Sequence, residues 1–69
     1  MNHYVECRSR KLENEIFVTR FSGFNGLSRD IAQEVFEREC KNGHDAVYLC
    51  KLSRGCDVTI KAWYKEATA

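Results

Sequence analysis

YLCKLSRGCDVTIKAWYK, residues 48–65, decides how this chain folds. β-Branched and aromatic residues alternate with polar ones on both sides of Ser53-Arg54-Gly55, the pattern of two strands joined by a tight turn. A three-residue loop with Gly55 in the left-handed conformation predicts Leu52 opposite Cys56 and Cys50 opposite Val58. One face then carries Ala46, Tyr48, Cys50 and Leu52 with Cys56, Val58, Ile60 and Ala62. The other carries Val47, Leu49, Lys51, Asp57, Thr59, Lys61, Trp63 and Lys65. The first set is the expected core and the second the expected open face.

Upstream, LSRDIAQEVFERECKNG (27–43) predicts a helix over 28–41. Ser28 can cap it by accepting from a backbone N–H, and Asp30 favours the positive end of its dipole. Leu27, Ile31, Val35, Phe36 and Cys40 fall at helical spacing. Lys41 suits the negative end, and Gly43 suits the left-handed residue that follows. The outward positions, Asp30, Gln33, Glu34, Glu37 and Arg38 with Glu39 at the margin, make an acidic side. Before the helix, FSGFNG (21–26) reads as a loop. HYVECRSR (3–10) and EIFVTRF (15–21) read as strands of a first hairpin. The turn between them is KLEN (11–14), with Asn14 suited to a left-handed conformation. Which face of EIFVTRF is buried stays open, because Ile16/Val18 and Phe17/Phe21 are both apolar. The tail EATA (66–69) is expected to fray.

The order is ββαββ, a single domain over 1–69. One helix covers one face of a four-stranded antiparallel sheet, so the expected fold is α+β in two layers. The other face is left to water or to a partner. At 69 residues the chain buries a modest share of its surface, and a disulfide, a metal or a partner would add needed stability. With 43% hydrophobic, 30% charged and 12% aromatic residues it is too apolar to be disordered. It has no apolar run long enough to span a membrane. MNHYVECRSRK contains no apolar signal segment, so the expectation for a complete chain is the cytosol, where thiols stay reduced, although a mature secreted domain would lack its signal as well.

Four cysteines raise three alternatives. As free thiols, Cys50 and Cys56 fill the core beneath the helix, the preferred reading. A 50–56 disulfide would sit on a diagonal near the reach of the bond, and Cys7 could pair with any of the others. Zinc would draw on Cys7, Cys40, Cys50, Cys56, His3 and His44, of which Cys40-x3-His44 has an acceptable half-site spacing. The expectation is no metal, no cofactor and no enzyme. There is no phosphate loop, no activated thiol with an oriented base, and little room for a concave pocket.

The net charge of +1 favours neither nucleic acid nor membrane, but its distribution is uneven. Lys51, Lys61 and Lys65 share the expected open face with Trp63, and Arg8 and Arg10 join them beside Tyr4. Interleaved cations and aromatics suit single-stranded nucleic acid, where bases stack and phosphates meet lysines. The same surface suits a protein partner, with Trp63 as anchor. Val47 and Leu49 would make it partly apolar, which also fits a homodimer through the open face. Lysines on strands also serve solubility and protect sheet edges.

In layout, the hairpin from HYVECRSR to EIFVTRF, the short helix LSRDIAQEVFEREC and the second hairpin resemble small phage and mobile-element proteins. Some anti-CRISPR inhibitors are similar in arrangement. The resemblance is one of size and order over nearly the whole chain and carries no residue by motif. It implies a non-catalytic cytosolic binder that occupies the surface of a host nucleoprotein complex.

Overall fold

A computed structural model describes residues 2–12, 15–23 and 26–65 of the chain. The expected turn conformation of Asn14 and the expected fraying of residues 66–69 lie outside them. The element order is ββαββ: β1 His3–Leu12, β2 Glu15–Phe21, α1 Arg29–Glu39, β3 Ala46–Ser53 and β4 Cys56–Tyr64. The strands form one antiparallel sheet in the order β2-β1-β3-β4, with α1 against β1 and β3. The two-layer α+β fold is therefore as expected from sequence.

α1 starts at Ser28, whose side chain accepts from the Ile31 N–H at 3.3 Å. Its buried positions are Ala32, Phe36 and Glu39, spaced at i, i+4 and i+7. Val35 and Cys40 pack partly against the core. Two expectations are corrected here. Ile31 is 51% exposed, and Glu39 is only 4% exposed although it carries a charge. The helix is rotated so that a small residue, Ala32, meets the sheet and lets the two layers approach closely.

The β3–β4 turn is also different. Arg54 (φ 51°) and Gly55 (φ 80°) both take left-handed conformations, so the loop has two residues and Ser53 pairs with Cys56. This double left-handed turn matches the twist of the strands it joins. Near the turn, Asp57 and Thr59 therefore align with Leu52 and Cys50. An irregularity between Leu49 and Cys50 leaves Ile60 unpaired opposite them, and beyond it Lys61 and Trp63 align with Leu49 and Val47. The bulge restores the expected side-chain sets in the far half of the hairpin.

The helix, however, covers the opposite set from the one expected. The core is Val5, Cys7, Val47 and Leu49 from the sheet with Ala32 and Phe36 from α1; Phe21, Leu27 and Trp63 pack at its border. β1 is a central strand, and its alternation forces this choice. Val5 and Cys7 point one way, and Glu6, Arg8 and Arg10 point the other. Val5 and Cys7 pair with Leu49 and Val47, so those residues must be covered too. Cys56, expected in the core, is exposed at the turn. An 11-residue helix is about 16 Å long. It lies across the two central strands, and the edge strands keep Phe17, Val58 and Ile60 about half exposed.

Candidate functional site: the uncovered sheet face and a polar cluster beside the core

The uncovered face is built from alternate residues of all four strands. β1 supplies Tyr4, Glu6, Arg8 and Arg10. Their partners Arg20, Val18 and Ile16 come from β2, and Cys50, Tyr48 and Ala46 come from β3. β4 adds Asp57, Thr59, Ala62 and Tyr64. Glu6 is the hub. Arg8 donates to its Oε2 from Nε at 3.1 Å and from Nη2 at 3.0 Å, and Arg20 Nη2 donates to Oε1 at 3.1 Å. Burial alone would raise the Glu6 pKa, but the bonds from Arg20 and Arg8 outweigh it and hold the carboxyl below its usual value.

Each arginine also lies on a tyrosine. The Arg20 guanidinium is 4.6 Å from the Tyr4 ring centre, and that of Arg8 is 5.1 Å from Tyr48. Tyr64 meets Tyr48 edge-on, with ring centres 5.7 Å apart, and is 62% exposed. Burial, then hydrogen bonding toward Asp57 and Cys50, pushes the Tyr4 hydroxyl pKa well up. Hydrogen bonding to Tyr64, with burial, raises that of Tyr48. Both phenols stay neutral, their hydroxyls engaged with neighbours on the same face. Between these groups is a shallow hollow of about 380 Å³ with a mostly polar lining.

The expected interface residues are therefore divided. Tyr4, Arg8 and Arg10 share the uncovered face. Lys51, Lys61 and Trp63 do not: they belong to the helix side of the sheet, and Lys65 follows the end of β4. Trp63 borders the core and is not an exposed anchor. Sequence reasoning missed Glu6, Arg20, Tyr48 and Tyr64. The alternation of β1 signals Glu6, but the pairing Glu6–Arg20 depends on the register of the first hairpin, and Tyr48 comes opposite Glu6 only because β1 lies beside β3.

A second polar group lies on the covered side, where the C-terminal end of α1, β1 and the α1–β3 connection meet. His44 Nε2 is 2.9 Å from Glu39 Oε1, and its Nδ1 is 2.9 Å from Ser9 Oγ. A carboxylate oxygen only accepts, so the imidazole donates to Glu39 and can accept from Ser9. Arg38 Nε and Asn42 Nδ2 donate to the other oxygen of Glu39, at 3.0 and 2.9 Å. Burial raises the Glu39 pKa, but the bonds from His44, Arg38 and Asn42 together hold it below its usual value. The buried Cys7 adjoins this group, and burial, then the charges of Glu39 and Cys40, pushes its thiol up to about 11. That thiol is protonated and unreactive at neutral pH. Hydroxyl, imidazole and carboxylate are ordered as in a nucleophilic relay. A hollow of about 300 Å³ near Ser9 is also lined by Arg8, Arg10 and Ile16, which belong to the other face of the sheet. Ser9 lines this hollow too, and its hydroxyl is bonded to His44 on the covered side.

No helix among the described residues is long and apolar enough to cross a membrane. Comparison with protein-family models, with curated proteins and with solved structures finds no match to this chain.

Proposed function

We propose that this chain is a non-catalytic binding module that occupies the surface of a partner protein through its uncovered sheet face. The observation that carries this reading is the pair of arginines, each placed over a tyrosine ring and both tied to Glu6. Tyrosine and arginine dominate the energetic centres of interfaces. Here the guanidiniums are held before any partner arrives, which lowers the ordering cost of binding. Their remaining N–H donors suit carboxylates and carbonyls of a partner, and Tyr64, Val18, Ile16 and Leu52 supply exposed apolar surface around them.

Binding of single-stranded nucleic acid on the same face is the less favoured reading. The rings of Tyr4 and Tyr48 are capped by arginines, so those faces are not open for base stacking. Three arginines on this face are set against Glu6 and Asp57, which leaves little net charge for phosphates. A stoichiometric inhibitor of a host nucleoprotein complex is one form of the proposed module, supported by size and layout. Four free cysteines suit the reducing cytosol of such a host.

The test is affinity capture from a lysate of the cells in which the protein acts, with the wild type and two variants. Arg20→Ala combined with Tyr48→Ala is expected to lose the captured protein, whereas Lys61→Glu on the other side of the sheet keeps it. Loss with Lys61→Glu alone would move the interface to the helix side. Fluorescent single-stranded DNA and RNA, titrated at about 50 and 200 mM salt, should show no strongly salt-dependent binding. A steep salt dependence would replace the protein partner with nucleic acid.

A further inference from the structure

The cluster of Cys7, Glu39 and His44 has no part in the sheet-face reading, and its three side chains gather potential metal ligands in one place. One ligand atom from each, Sγ, a carboxylate oxygen and a ring nitrogen, lies within 4.8 Å of the other two. Ligands at zinc bond lengths of about 2.0 to 2.3 Å stand about 3.3 to 3.8 Å apart around a tetrahedral ion. The three groups are already close enough to reach that arrangement by small side-chain shifts.

The surroundings add a second observation. Metal-binding histidines are oriented by a partner on the other ring nitrogen, and ligating carboxylates are held by hydrogen bonds of their own. Both features are present. Ser9 Oγ stands 2.9 Å from His44 Nδ1, which leaves Nε2 facing Glu39. Arg38 and Asn42 donate to Glu39 Oε2, and among the described residues His44 is the hydrogen-bond partner of Oε1. Cys7 and Glu39 are buried and His44 is half-buried. A carboxylate, an imidazole and a thiol are thus gathered from three separate segments into a site with restricted access to water.

We propose that Cys7 Sγ, Glu39 Oε1 and His44 Nε2 bind one divalent transition metal of borderline softness, with zinc the best match to this mixed S, N, O donor set. The fourth position falls to water. Binding exchanges the Glu39–His44 hydrogen bond for two metal–ligand bonds. The Cys7 thiol gives its proton to solvent and binds as thiolate. His44 carries its remaining hydrogen on Nδ1 and donates it to Ser9. No electrons are transferred. The ion would tie β1 to the end of α1 and to the α1–β3 connection, a staple of the kind a 69-residue domain benefits from.

The test uses the reduced full-length chain with Co²⁺ and Zn²⁺ as probes. The expected result is one Co²⁺ per chain, thiolate-to-cobalt charge-transfer absorption in the near ultraviolet, and displacement of cobalt by Zn²⁺. Excess Zn²⁺ should raise Tm by about 10 °C or more. Cys7→Ser should abolish the charge-transfer band, while Cys56→Ser, at the far end of the β3–β4 hairpin, should keep it. His44→Gln should weaken binding at least about tenfold. Cys7 is a core residue, so the wild-type titration and the His44 variant keep the test decisive if Cys7→Ser fails to fold. A wild-type chain that takes up neither ion at tenfold excess overturns the proposal. So does a charge-transfer band that survives in a folded Cys7→Ser.

Discussion

Glu6 and Glu39 are largely buried acids on opposite sides of the sheet, and both are held ionised by donors that outweigh their burial. A carboxyl whose folded-state pKa lies below its unfolded value stabilises the fold above that unfolded value, about 4.3 for glutamate. The contribution is lost as pH falls through the lower, folded value. Urea unfolding followed from pH 7 downward should therefore show stability falling below about pH 4. The double variant Glu6→Gln/Glu39→Gln should be less stable at pH 7 and flatter across the acid range. An unchanged acid slope would mean that other carboxyls set it. Trp63 and Tyr64 give a second contrast at this scale, since adjacent residues on a strand face opposite ways. Trp63→Ala, at the border of the core, should cost about 2 kcal/mol in chemical denaturation. Tyr64→Ala, on the uncovered face, should cost within about 1 kcal/mol. The reverse order would put the helix on the other face.

Among the elements, the helix was the most legible in the sequence, and the pairing of the second hairpin the least. Ser28 and the i, i+4 pattern mark the start and type of α1. Its rotation is not legible from apolarity, because Ile31 is more apolar than Ala32 and yet Ala32 is the one buried against the sheet. The expected three-residue SRG loop failed because Arg54 gives no hint that it adopts a positive φ. Two residues in the left-handed region favour Asn-Gly. Arg54→Asn should therefore stabilise the protein by about 0.5 kcal/mol, and Gly55→Ala should destabilise it by about 1 kcal/mol. Thermal unfolding of the two variants measures both. A destabilising Arg54→Asn would contradict the two-residue turn. Ser28→Ala should cost about 1 kcal/mol through the lost cap.

For the whole molecule, the order of elements and the two layers followed from local patterns, but the covered face did not. That choice depends on which strands are central, and strand order is a long-range property. Once β1 is known to lie beside β3, the alternation of Val5 and Cys7 with Glu6, Arg8 and Arg10 assigns both faces. Without it, Val47, Leu49 and Trp63 read equally well as an exposed patch. The same step explains why only Tyr4, Arg8 and Arg10 of the expected site belong to the uncovered face, and why Arg20, Tyr48 and Tyr64 were missed. The central claim is that this face is where a partner protein docks. Its most direct measurement is site-specific photo-cross-linking in the cells where the protein acts, with a photoreactive phenylalanine replacing Tyr64 on the uncovered face or Glu34 on the exposed side of α1. The account predicts one discrete protein adduct from position 64 and none from position 34. An adduct from position 34 alone, or cross-linking from position 64 to nucleic acid instead of protein, would contradict it.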